Sequence, residues 1–303
     1  MPNVLSDDKV CVEFDSAAGG KIRSISSRAT GHEYLYQDRR PAFSDHSYST
    51  HDISGIDECF PTVAACESAV SPSRAGAFGD HGILWRVPWT TRTDARRVIC
   101  VASPQDTGLS FKRVCMLGAP GCIELAYSIS NKGSEPYEFL YAHHALLAVD
   151  TDTRVRFPID MEAVYPTVAE NINGMSLKTW TTWPCDPSLG INDPYNPERR
   201  SLLKCFSNRL RNGAFNVSQE SGREVLEVEF DAAHLPYLGI LVAQGYGPTG
   251  QDGEGIILGI EPTSGIGDEL LECRRTGSHQ VIGPGGTCRF WIRYRLVTPE
   301  DSA

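Results

Sequence analysis

Four short segments set titratable side chains beside apolar ones. Asp57-Glu58-Cys59-Phe60-Pro61-Thr62 places two acids ahead of an apolar, turn-forming stretch, and Asp80-His81-Gly82-Ile83-Leu84-Trp85 sets an imidazole between a carboxylate and a glycine, close to an indole. The run 139–147 embeds His143 and His144 among apolar residues, and Ile256–Ile260 is an apolar run that ends on Glu261. A carboxylate closing an apolar strand is costly to bury unless it is paired, hydrogen-bonded or facing a polar pocket. Either Glu261 marks where the strand reaches solvent, or it is partly buried, with a pKa raised toward neutrality and suited to proton transfer. Adjacent residues of a strand point to opposite faces, so His143 and His144 cannot both line one pocket and one of them is structural. Asp80 can orient or charge His81, and Gly82 lets backbone approach a ligand closely.

Other chemistries find less support. None of His81, His143, His144 and Glu261 falls in an H-x-H or H-E-x-x-H spacing, so no metal is expected. There is no G-x-S-x-G, no cysteine beside a candidate base and no glycine-rich phosphate loop, which leaves no nucleophile motif and no expected cofactor. The ten cysteines are scattered without a C-x-x-C pair, and several lie in strand-like apolar runs, so they are expected to be reduced core thiols.

The elements that must position these groups are strands. Ile123, Leu125, Tyr127 and Ile129 share one face of a segment whose other face carries Glu124, Ser128 and Ser130, and Leu226, Val228 and Phe230 alternate with Glu227 and Glu229. Phe290, Ile292, Tyr294 and Leu296 repeat the pattern near the C-terminal end, and no segment holds a helical period over three turns. With 28 Gly and 19 Pro punctuating the chain, many short strands and no alternating β-α pattern, the expectation is all-β: a large antiparallel sandwich. Its 303 residues allow two domains or one large β domain, read here as a single domain over 1–303. Two irregular stretches, 45–89 and 179–200, stand apart as candidate functional loops. A net charge of −10 argues against nucleic acid as a partner. Neither an 18-residue apolar run nor a leader pattern is visible, so the expectation is no membrane partner and a cytoplasmic location.

Taken together, the segments resemble a known family. Asp80-His81-Gly82-Ile83-Leu84-Trp85-Arg86-Val87-Pro88-Trp89 is similar to the D-H-G-E-L-W-x-x-P-W motif of bacterial proteins in the aldose 1-epimerase, or galactose mutarotase-like, superfamily, and Asp57–Thr62 to the D-E-C-F-P-T that accompanies it. The strand 141–148 resembles one written in relatives with a single His before P-L-F-A, which aligns His144 with the family histidine. Tyr237–Leu241 is similar to an L-G-I-W strand, and Glu261-Pro262-Thr263-Ser264-Gly265 with Asp268 to an E-P-x-T-G-x-P-D block. The matches keep family order over roughly residues 50 to 270. Ile83, Ala145 and Gly267 depart from it, standing where relatives have Glu, Pro and Pro.

The resemblance implies a β-supersandwich of large, mostly antiparallel sheets with an open sugar-binding face. It implies anomer interconversion with Glu261 as base at the C1 hydroxyl and His144 as acid at the ring oxygen. His81 and Asp80 would hold the sugar and each other, Trp85 and Trp183 would offer flat apolar faces, and Asp57 and Glu58 would accept hydroxyl hydrogen bonds. Arg74 is the candidate for the family's sugar-binding arginine. Expected partners are a small-molecule sugar and, as one option, a second copy of the chain in a homodimer. A sugar-binding protein without turnover, and a sugar-phosphate 1-epimerase with a cationic clamp, are the alternatives.

Overall fold

In the computed structural model, the described residues are 3–38, 48, 51–72, 74–105, 107–172, 175–183, 195–219, 224–246 and 252–298. The chain opens with β1 (Asn3–Ser6), β2 (Val10–Asp15), β3 (Lys21–Ser27) and β4 (Ile56–Cys59). A hairpin of β5 (Cys66–Ser71) and β6 (Arg74–Phe78) precedes β7 (Thr90–Thr93), β8 (Arg97–Ala102), β9 (Leu109–Leu117) and β10 (Cys122–Asn131). Then come β11 (Tyr137–Phe139), β12 (Ala142–Leu147), β13 (Thr153–Arg156), β14 (Ala163–Glu170) and β15 (Thr181–Thr182). The last third holds β16 (Ser201–Ser207), β17 (Ala214–Gln219), β18 (Val225–Phe230), β19 (Tyr237–Tyr246) and β20 (Asp252–Thr263). A short helix α1 (Leu270–Arg275) leads to β21 (Gln280–Ile282) and β22 (Thr287–Val297).

Two large antiparallel sheets result. One runs β1-β2-β3-β4-β12-β20-β19-β16-β14-β15 and the other β13-β17-β18-β22-β10-β9-β8-β7. The alternation read from sequence is what builds them: Ile123, Leu125, Tyr127 and Ile129 of β10, Leu226, Val228 and Phe230 of β18, and Phe290, Ile292, Tyr294 and Leu296 of β22 are all buried. They meet Val12, Phe14, Ile25, Leu203, Ile240, Leu258 and Ile260 of the larger sheet in one contiguous core. The sandwich expectation therefore holds, with α1 the one α-helix among the described residues. No helix among them is long and apolar enough to cross a membrane.

Period two also divides the larger sheet's other face. Asp57 of β4, His144 of β12, Glu261 of β20 and Lys204 and Phe206 of β16 have the parity opposite to the core residues Ile56, Leu147, Ile260 and Leu203 of the same strands. Smaller apolar clusters cover this outer face on either side of them: Tyr48, Ile53, Trp85, Leu146, Ala243 and Ile257 on one, Phe206, Tyr237 and Ile266 on the other.

Candidate active site

Strand register brings the acid and the imidazole together. Pairing of Ala142 with Thr263 and of Leu146 with Gly259 sets His144 across from Glu261, while His144 also pairs with Asp57, Glu261 with Gly239, and Gly239 with Phe206. Asp57, His144, Glu261, Gly239 and Phe206 thus form one row over five strands. His144 Nε2 lies 3.7 Å from Glu261 Oε1, and the two side chains are 7 % and 1 % exposed. Glu261 does not mark a strand emerging into solvent.

Lys204 explains how that carboxylate is tolerated. Its Nζ donates to both Glu261 oxygens, at 2.7 and 2.9 Å, and stands 3.6 Å from Asp268 Oδ1. The lysine reaches across β19 because position 239 is glycine: a Cβ there would sit 3.1 Å from Glu261 Oε2, and one on Gly259 would sit 3.0 Å from Oε1. Glycine in these strands makes room for the carboxylate. Burial pushes the Glu261 pKa up, but the Lys204 ammonium, helped by His144, more than offsets it, so the net shift is downward. The expectation of a raised pKa is thereby corrected: Glu261 is a stabilised carboxylate, present in its base form.

His144 shifts the other way. Burial pushes its imidazole down to about 3, with Glu261 opposing and His81 and Lys204 adding to the shift. Its Nδ1 is 3.4 Å from the Tyr48 hydroxyl, which donates to Asp57 Oδ2 at 3.2 Å; that same oxygen accepts from Lys21 Nζ at 2.7 Å. Asp57 therefore acts on the histidine through Tyr48, and its Oδ1 has no hydrogen-bond partner among the described residues.

His81 arrives from a turn rather than a strand. It has φ 60°, donates its backbone N–H to Val63 O at 2.5 Å, and precedes Gly82, where a Cβ would strike the Phe60 carbonyl. Gly82 thus serves the packing of the turn on residues 60–63, where a left-handed backbone and close approach both require glycine, and not the approach of a ligand. His81 Nε2 lies 3.4 Å from His144 Nε2, and its ring stacks on Tyr48 at 3.4 Å between centroids. Its Nδ1 is 3.2 Å from Asp80 Oδ1, within ion-pair distance but without hydrogen-bond geometry. Burial raises the Asp80 pKa, and His81 and His144 outweigh it to leave that carboxyl below its ordinary value.

Three expected site residues belong elsewhere. Glu58 points to the opposite face of β4 from Asp57, into the core, where Arg113 Nη1 (2.8 Å), the Tyr127 hydroxyl (3.1 Å) and the Tyr141 hydroxyl (2.5 Å) donate to it. It accepts from protein and not from sugar, because a one-residue step along a strand reverses the face. Trp85 is 1 % exposed, gives its indole N–H to the Asp80 carbonyl at 3.0 Å and meets Tyr48 edge-on at 5.2 Å. It props the site from behind and offers no open face. Trp183 is edge-on to Phe157 at 5.1 Å and packs on the intersheet core. Of the two tryptophans in the second loop, the exposed one is Trp180, 5.4 Å from the Tyr165 ring, which packs on the Phe206 cluster beside Lys204. Arg74 lies on β6, and its side chain falls outside the described residues.

His143 is the structural histidine of the pair: its Nδ1 is 3.2 Å from the Tyr127 hydroxyl and its Nε2 2.7 Å from that of Tyr294. Among the described residues no cysteine is joined in a disulfide, and Cys185 lies outside them. Cys59 is a buried core thiol as expected, and it also borders the site: a ligand atom each from Cys59, His81 and His144 all lie within 4.8 Å of one another. Sequence reasoning missed Lys204, Tyr48, Gly239 and Cys59 as members of the site. Even spacing along β16 could have put Lys204 and Phe206 on one face, but nothing local says that this face meets Glu261.

Several solved structures share this architecture at low sequence identity. A galactose mutarotase-like protein from Lactobacillus casei superposes with a TM-score of 0.71 at 12 % identity, covering 98 % of this chain and 100 % of its own. The chain has the galactose mutarotase-like fold. A protein from Escherichia coli K12, provisionally named an aldose 1-epimerase, shares that fold with a TM-score of 0.71 at 14 % identity over 98 % of this chain and 99 % of its own. A galactose mutarotase related enzyme from Lactobacillus acidophilus gives 0.67 at 14 % identity, with 98 % of both chains covered. No protein-family model matches the chain, and no curated protein does. At these identities the mutarotase-like fold is what is shared, and the chemistry has to be argued from the residues of this site.

Proposed function

We propose that the chain is an aldose 1-epimerase, interconverting the α and β anomers of a sugar by opening and reclosing its ring. The observation that carries this reading is a carboxylate and an imidazole 3.7 Å apart in one strand row, with a second imidazole 3.4 Å from the first. Ring opening removes the proton of the C1 hydroxyl and places one on the ring oxygen, so that the C1–O5 bond breaks and C1 becomes an aldehyde. Glu261, held ionised by Lys204, takes the hydroxyl proton. His144, as imidazolium, gives its Nε2 proton to O5. After rotation about C1–C2 the hydroxyl at C5 attacks the other face of the aldehyde, and both protons return. Each positioned proton transfer contributes roughly 10²–10⁴ in rate. In this reading His81 and Asp80 hold a sugar hydroxyl, and Trp180, exposed and 5.4 Å from the Tyr165 ring, is the candidate apolar wall for the C–H face.

The imidazolium is the minority form of His144 at neutral pH, because burial holds its pKa at about 3. The reactive pair is therefore carboxylate with imidazolium, and kcat/KM, which follows the free protein's ionisations, rises as pH falls from 7 toward 5. The sugar-phosphate alternative gains nothing from the site's cations, since Lys21 is engaged by Asp57 and Lys204 by Glu261. The test is anomer-exchange NMR over a panel of hexoses, pentoses, sugar acids and sugar phosphates. Exchange above the spontaneous rate is expected for at least one unphosphorylated aldose. Calorimetric sugar binding with exchange no faster than in buffer would replace the enzyme with a binding protein.

A further inference from the structure

We propose that Cys59, His81 and His144 form a binding site for a zinc-class divalent ion, whose occupation excludes sugar. The exclusion rests on the function proposed above, whereas the ion site does not. The three side chains come from β4, a turn and β12, all are buried, and a donor atom of each lies within 4.8 Å of the others. Tetrahedral zinc with Zn–N of about 2.0–2.1 Å and Zn–S of about 2.3 Å sets its donors roughly 3.3–3.8 Å apart. The two imidazole Nε2 atoms, 3.4 Å apart, already meet that spacing, and the thiol has on the order of an ångström to close.

The surroundings also suit a metal. A ligating histidine commonly has its other ring nitrogen held by a carboxylate or its relay. Here His81 Nδ1 faces Asp80 Oδ1 at 3.2 Å, and His144 Nδ1 faces the Tyr48 hydroxyl that donates to Asp57. The two ring nitrogens that remain, one on each histidine, face one another 3.4 Å apart beside Cys59. On binding, the Cys59 S–H bond breaks, its proton leaves to solvent and the thiolate bonds the ion; no redox change occurs. The fourth position falls to water or to Glu261, whose Oε1 is 3.7 Å from His144 Nε2. An ion held there occupies the nitrogen that donates to the ring oxygen, so sugar turnover and ion binding compete.

The experiment titrates the intact protein, under reducing conditions, with Co²⁺ and then displaces it with Zn²⁺. A sulfur-to-cobalt charge-transfer band with intense tetrahedral d–d absorption is expected, lost on adding Zn²⁺, absent in Cys59→Ser and retained in Cys66→Ser. Zn²⁺ affinity should fall at least about tenfold in Cys59→Ser and in His81→Ala, the low end of what even an outer-sphere partner contributes. X-ray absorption of the zinc-loaded wild type needs no variant and should find one sulfur at about 2.3 Å with two nitrogens at about 2.0–2.1 Å. A shell of nitrogen and oxygen alone, or a cobalt band that survives Cys59→Ser, overturns the site. Spectra as expected with anomer exchange insensitive to Zn²⁺ overturn the exclusion of sugar, and spectra as expected with no exchange in any condition leave the ion site standing while the proposed enzyme function fails.

Discussion

Asp57 and Glu58 are consecutive on β4, and His143 and His144 are consecutive on β12, yet the two members of each pair end up in opposite kinds of environment. On the inner face, both oxygens of Glu58 and both nitrogens of His143 are engaged by Arg113, Tyr127, Tyr141 and Tyr294. Burial raises the Glu58 pKa, but His143, Arg113 and Tyr141 outweigh it and hold the carboxyl at about 2. On the outer face, Asp57 Oδ1, Asp268 Oδ1 and His81 Nδ1 have no hydrogen-bond partner among the described residues, and His81 sits at a left-handed φ. The inner network, in which Arg113 Nε is without a hydrogen-bond partner among the described residues, joins the two sheets; the outer one leaves three buried polar atoms without one, and that is where a ligand can be read. The same residue types, one position apart, serve structure on one side and chemistry on the other.

The sharpest way to break this comparison is to remove the same charge from each face. Glu261→Gln and His144→Ala are each expected to lower anomer exchange by about 10²–10⁴ while circular dichroism stays that of the wild type. Glu58→Ala should instead cost about 3–5 kcal/mol of stability, because it strands the buried Arg113 guanidinium. Near wild-type exchange in either outer variant, or an inner variant that melts normally, would erase the distinction.

Acid unfolding separates the faces by pH. His144 has a folded pKa of about 3, below its ordinary 6.5, so between those values the unfolded chain binds the extra proton and stability falls on acidification. The loss is about 1.4 kcal/mol per pH unit at most. Glu58, lowered to about 2 from 4.5, contributes stability that is present above 4.5 and lost as pH falls toward 2. Denaturant titrations should therefore show His144→Gln losing less stability than wild type from pH 6.5 to 4.5, with the inner-face loss entering only below that. An identical slope in that window would contradict the buried neutral imidazole.

Lys204→Met sharpens the electrostatic account of the outer face. Without the ammonium, Glu261 loses its main stabilising charge and His144 loses one of the charges opposing its protonation. Both pKa values should rise, the imidazole's measured from its ring proton shifts in NMR titration. A His144 titration unmoved by the substitution would show that burial alone sets it. The smallest effect is expected at the rim: Trp180→Ala should raise KM several-fold and change stability by less than about 0.5 kcal/mol, since the indole is 47 % exposed. Equal KM values for Trp180→Ala and wild type would remove that indole from the sugar's path.

The strands of both sheets were legible from alternation alone, as β10, β18 and β22 illustrate, because burial on one face imposes a period of two on any single strand. So was the opposite facing of His143 and His144, which follows from that period without knowledge of the partner strands. Alternation also separates Asp57 from Glu58, but only once both are known to lie on a strand, and the apolar turn that follows them hid this. What the tertiary structure decided was which strands are neighbours and in what register. That choice put Lys204 on Glu261 through the gap at Gly239, reversed the direction of the carboxylate's pKa, and packed Trp183 on the core while leaving Trp180 exposed. It also brought Cys59 to two imidazoles that are 22 and 85 positions away along the chain. A charge's ionisation depends on what stands within a few ångströms of it, and residues far apart in sequence come that close only when the sheet is assembled.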